Sequence, residues 1–75
     1  MTLAECRRGD RLRVVGIDAG RGARLRLIQL GLDVGDTIEL VQRSPFGGPV
    51  LVARAGTSVA IGHGLATHIQ VEPIA

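Results

Sequence analysis

Seventy-five residues leave room for one domain over residues 1–75, with a core so small that stability is marginal unless a staple or partner adds to it. Hydrophobic residues make up 45% of the chain, yet no run exceeds the four of Val50-Leu51-Val52-Ala53, so no bilayer-spanning helix is expected. A net charge of +2, carried on nine Arg and no Lys, is too weak for a nucleic-acid footprint, and the lone Cys6 excludes an internal disulfide and fits a reducing compartment.

In chain order, residues 1–10 read as a lead-in, with Thr2 placed to cap a short turn over Leu3-Ala4-Glu5-Cys6 and Gly9-Asp10 marking a turn. No secretory leader or membrane anchor is indicated. Arg11 to Ile17 predicts a strand with Leu12 and Val14 on one face and Arg11 and Arg13 on the other. Val15 and Ile17 break the alternation, as expected where a strand end is covered on both sides. Asp18 to Gly22 is turn chemistry. Ala23, Leu27 and Leu30 then fall at i, i+4 and i+7, which predicts a two-turn helix packed on the core. Gly31 stands where a left-handed stop belongs, with Leu32 folding apolar surface back behind it.

Gly35-Asp36 opens a second strand, Thr37 to Arg43. Ser44-Pro45-Phe46-Gly47-Gly48-Pro49 reads as a loop. Val50 to Arg54 and Thr57 to Ile61 predict two more strands, joined by the two-residue hairpin Ala55-Gly56. Gly62 to Ala66 makes a single turn, and His68 to Glu72 predicts a last strand burying Ile69 and Val71. Five short strands and one short helix point to a mainly β fold, a small closed or nearly closed barrel that leaves few exposed edges.

The ordered set Gly9-Asp10, Arg26-Leu27-x-x-Leu30-Gly31-Leu32-x-x-Gly35-Asp36, Pro45-Phe46-Gly47-x-Pro49-Val50 and Ala66-x-x-Ile69-x-Val71 resembles the FeoA family. That resemblance implies an SH3-like five-stranded barrel. It further implies a non-enzymatic cytoplasmic accessory that docks on the cytosolic part of a FeoB-type ferrous iron transporter and supports iron uptake. Two departures stand out. The family often carries an acidic residue where this chain has Gly48, and an Arg where it has Gly62. The same module occurs in the C-terminal domain of iron-dependent repressors, so a regulatory or nucleic-acid-binding module is the alternative. This chain shows no helix-turn-helix, and a complete repressor is not expected.

Candidate contact residues follow from helical geometry. With Ala23, Leu27 and Leu30 turned inward, Leu25 and Ile28 project to the other side, rimmed by Arg24, Arg26 and Gln29. Either this is a docking spot or the helix caps the barrel and is covered all round. Phe46, the only aromatic residue, is expected to pack down as a plug, the other option being an anchor for a partner. Arg24, Leu25, Ile28 and Phe46 are the candidate partner-binding residues.

Other chemistry is thin. Glu5, Cys6, His63 and His68 form no metal-binding spacing, so neither a metal site nor a cofactor is expected. Ser44 and Ser58 have no discernible triad partners, and catalytic residues are not expected. Asp18-Ala19-Gly20-Arg21-Gly22-Ala23 leads into the helix, where free N–H groups could hold an anion, but it lacks the ending of a phosphate loop and reads as ordinary turn glycines; Arg8-Gly9-Asp10 reads as chance. Nucleic acid is the rival partner class, but the Arg7 to Arg13 cluster has only Phe46 for stacking. No nucleic-acid partner and no direct membrane insertion are expected, and homo-oligomerisation is left open.

Overall fold

The computed structural model describes residues 1–74. Five strands, β1 (Arg11–Ile17), β2 (Thr37–Arg43), β3 (Val50–Arg54), β4 (Thr57–Ile61) and β5 (Ile69–Pro73), form one antiparallel sheet in the order β4-β3-β2-β1-β5. The sheet curls as a small SH3-like barrel but is not closed by a ladder, since β4 and β5 are its two edges. The β5 edge is lined by the N-terminus: Val71 N–H donates to the Met1 carbonyl at 2.8 Å, and Thr2 bridges Gln70. A one-turn helix, α2 (His63–Ala66), carries the chain from β4 to β5.

Alternation places Leu12, Val14, Ile38, Leu40, Val50, Val52, Ile69 and Val71 on the inner face, all buried. Leu3 and Cys6 of the N-terminal 3-10 turn (Leu3–Glu5 and the residue after it), Leu32, Ile61 and Ala66 complete the core around them. No polar side chain is buried among the described residues.

Two bulges bend the sheet. In the β1–β5 ladder Val14 pairs with Val71 and Gly16 with Gln70, leaving Val15 unpaired. The extra residue resets the alternation, so Val14 and Ile17 both turn toward the core while Val15 stands 44% exposed. The expected double coverage of this strand end is therefore corrected: the break in pattern is a bulge. A second shift between Leu40 and Gln42 does the same at Val41 in the β2–β3 ladder.

The helix between β1 and β2, α1 (Arg21–Gln29), begins two residues before the apolar period and buries Leu27 completely. It ends in a Schellman arrangement. Leu32 N–H donates to the Leu27 carbonyl at 3.0 Å and Gly31 N–H to that of Ile28 at 2.9 Å. Gly31 sits at φ +94°, a conformation a side chain would make costly, so its identity sets the helix length. The β3–β4 hairpin closes with Ala55 at φ +49° and Gly56 at +82°, the two left-handed positions of a type I′ turn.

Candidate docking surface

Because Leu27 faces inward on a nine-residue helix, residues 25 and 28 must lie on its flanks and outer side. Leu25 is 53% and Ile28 45% exposed, so about half of each side chain is open to solvent on the side of the helix away from Leu27. Arg24 lies on the same side as Ile28, and its guanidinium reaches Asp33 Oδ1 at 3.9 Å in the segment that follows the helix. Asp33 Oδ1 also accepts the Val34 N–H at 2.7 Å. That shared carboxylate brings Val34, 44% exposed, to the border of the helix face.

The segment is stiff. Asp36 Oδ2 accepts the Asp33 N–H at 2.8 Å and the Arg54 Nε at 2.9 Å. Arg54 Nη2 reaches Asp36 Oδ1 at 3.3 Å, a two-point pairing that ties the start of β2 to the end of β3. Leu25, Ile28 and Val34 are thus aliphatic side chains presented on fixed backbone beside an ion pair. Such a surface offers apolar area to bury and polar groups to orient a partner.

Phe46 departs from expectation. It is fully exposed, at 103%, and its backbone is left-handed at φ +60°. The plug is therefore corrected to a projecting side chain. The loop closes through Ser44 N–H to the Pro49 carbonyl at 3.1 Å and Gly48 N–H to that of Pro45 at 3.3 Å, which turns residue 46 outward at its tip. Phe46 leaves the C-terminal end of β2, whereas α1 feeds its N-terminal end. A seven-residue strand separates these ends by roughly 20 Å along its path, so the chain gives no grounds for placing Phe46 with the α1 face. Gly48 packs so closely that a Cβ there would stand 2.6 Å from the Ser44 Cβ. In this loop the glycine at position 48 is a steric fit.

The remaining candidates disperse. Cys6 is fully buried, its Sγ donating to the Thr2 carbonyl at 3.4 Å. Burial pushes its thiol above the ordinary range, and the charges of Asp10 and Glu5 push the same way. A metal ligand would need the thiolate that this environment disfavours. Glu5 accepts the Thr2 N–H at 2.8 Å, and that bond holds its carboxyl below the usual range. His63 on α2 and His68 before β5 are exposed. Among the described residues no three of His, Cys, Asp or Glu converge on a point that could hold a metal ion.

One feature sequence reading missed is an open groove of about 630 Å³ between α1 and the α2 end of the barrel. Ala23, Arg26, Leu30, Ala60, Leu65 and His68 line it, together with Gly62. A Cβ at Gly62 would meet nothing within 4 Å. Gly22 and Gly64 line it as well, so three positions without side chains border the groove, the signal of it that the sequence carries. Val34 was missed as well, although an aliphatic residue in the turn Asp33-Val34-Gly35-Asp36 is out of place unless something covers it.

A family model described as the FeoA domain matches residues 1–73. The chain is 39% identical over 70 residues to a candidate Fe(2+) transport protein A of Methanocaldococcus jannaschii, covering 93% of this chain and 83% of that one. A crystal structure of an iron uptake regulatory protein (FeoA) superposes with a TM-score of 0.87 at 35% identity, over 99% of this chain and 96% of the other. A manganese-dependent transcriptional repressor contains a similar region, with a TM-score of 0.89 at 27% identity, covering 99% of this chain and 41% of the repressor.

Proposed function

The chain belongs to the FeoA family, and on that premise we propose that it is a cytoplasmic accessory of a FeoB-type ferrous iron transporter. It acts by docking on the transporter's cytosolic part, through the outer face of α1, and performs no chemistry of its own. The observation that carries this reading is the exposure of Leu25 and Ile28 on a helix whose inner face is anchored by Leu27. Arg24, held by Asp33, supplies the polar rim and sets the orientation of the partner. Among the described residues no helix is long and apolar enough to cross a membrane. Phe46, at the other end of β2, stands outside this contact.

A pull-down with the GTP-binding cytosolic part of the transporter, with and without nucleotide, tests it. The wild-type protein is expected to be retained. Leu25→Ser/Ile28→Ser is expected to lose about tenfold or more in affinity, as aliphatic residues at the centre of a contact do. Retention of that variant at wild-type affinity, with its fold intact, would remove the α1 face from the account. The alternative, a nucleic-acid-binding regulatory module, is favoured only by the match to part of a repressor. It requires oligonucleotide binding that falls steeply with salt.

A further inference from the structure

The end of the barrel away from α1 carries features that docking leaves unused. Arg7 and Arg8, on the turn before β1, and Arg43, at the end of β2, line an open hollow of about 580 Å³ with Val41 and Gln42. The turn is fixed to β2 by Gly9 N–H to the Leu40 carbonyl at 2.8 Å and Leu40 N–H to the Asp10 carbonyl at 2.9 Å. Arg43 Nη1 donates to the Cys6 carbonyl at 2.8 Å. Among the described residues none of these three guanidiniums has a carboxylate within ion-pairing distance. The acidic groups of the same segment are engaged with backbone: Asp10 Oδ2 accepts the Arg7 N–H and Glu5 Oε1 the Thr2 N–H, each at 2.8 Å.

Phe46 follows Arg43 by three residues, at most about 11 Å of chain. It is fully exposed and held in a left-handed backbone conformation that a bulky residue adopts at a cost. Packing within the chain returns nothing for that cost.

We propose that this end of the protein adsorbs on an anionic phospholipid surface, with Arg7, Arg8 and Arg43 on headgroup phosphates and Phe46 in the interfacial layer. Guanidiniums pair with phosphate at two points, and an unpaired cluster attracts an anionic leaflet. An aromatic ring at the tip of a loop between Pro45 and Pro49 suits the boundary between headgroups and acyl chains. A single aromatic on a loop makes a poor track for nucleic acid, which needs successive stacking platforms. The contact is peripheral and reversible, since one ring and three cations fall short of an anchor. It needs no spanning segment, and it leaves the α1 face free for a protein partner.

Flotation with vesicles of phosphatidylcholine alone, and of phosphatidylcholine with phosphatidylglycerol, tests it. Binding is expected only to the anionic vesicles, falling as salt rises. Arg7→Gln/Arg8→Gln should lower the partition coefficient on the order of 30-fold, at about fivefold per charge. Phe46→Ser should lower it by about fivefold for a half-buried ring while keeping the salt dependence. Leu25→Ser/Ile28→Ser should leave it unchanged. Equal binding to neutral and anionic vesicles, no flotation with either, or wild-type flotation of both the Arg and Phe46 variants would overturn the proposal. So would tighter binding to a single-stranded oligonucleotide than to the anionic vesicles.

Discussion

Leu27 shows what one side chain does in so small a core. It is fully buried beneath α1, so Leu27→Ala should cost about 3 kcal/mol from transfer and cavity together. In a domain whose total stability is on the order of 5 kcal/mol, urea denaturation should show the midpoint falling by more than half. At Gly48 the limit is crowding. Gly48→Asp places a Cβ against the Ser44 Cβ, so the loop must shift and stability should fall by about 1–3 kcal/mol. Cys6 should resist alkylation until the chain opens, because its thiol is buried and raised. A folded pKa above the unfolded one means that this contribution is complete below the ordinary thiol range. It is lost as pH climbs through the folded value. Phe46 marks the limit of reading single residues from sequence. Burying the only aromatic would gain the most apolar contact, but Pro45 and the Gly47-Gly48 pair turn the loop tip outward, and local backbone geometry wins.

Among the elements, α1 was legible because Ala23, Leu27 and Leu30 repeat at helical spacing and Gly31 ends it. The expected inner face is corrected: Leu27 alone of the three is buried, while Ala23 and Leu30 line the open groove. The start of α1 was less legible: Gly20 caps it without a side-chain bond, leaving no capping residue to read. Replacing Gly31 with Ala should cost about 1 kcal/mol by forcing a Cβ into a left-handed position, measurable as a lower melting temperature. The segment after the helix depends on Asp36, so Asp36→Asn should weaken its pairing with Arg54 and lower stability by about 1 kcal/mol. The N-terminal turn responds to acid. Its Glu5 carboxyl is held below the ordinary range by the Thr2 N–H, so the folded state binds that proton less readily than the unfolded chain. This support is complete above the ordinary carboxylate range and disappears as pH falls through the lowered value. Glu5→Gln should flatten that part of the acid-unfolding profile.

At the scale of the molecule, the four strands from β1 to β4 were legible at their boundaries because each alternates between punctuating turns, and β5 was displaced by one residue. What alternation cannot report is where a ladder slips. Val15 and Val41 look like ordinary strand residues, and only the pairing of distant strands makes them bulges. The same holds for the open side between β4 and β5, for the groove beside α1 and for the distance between Phe46 and the helix, all products of tertiary closure. The α1 face was legible as a pattern of residues, and its half-exposure in the fold is what the docking proposal builds on. Its use as a handle is most directly tested by following backbone amide signals while the cytosolic GTP-binding part of the transporter is titrated in. Shifts concentrated on residues 21–34, with the tip around Phe46 unmoved, are the predicted result. Shifts confined to the loop at 44–49 and the Arg7–Arg8 turn, with α1 silent, would contradict it.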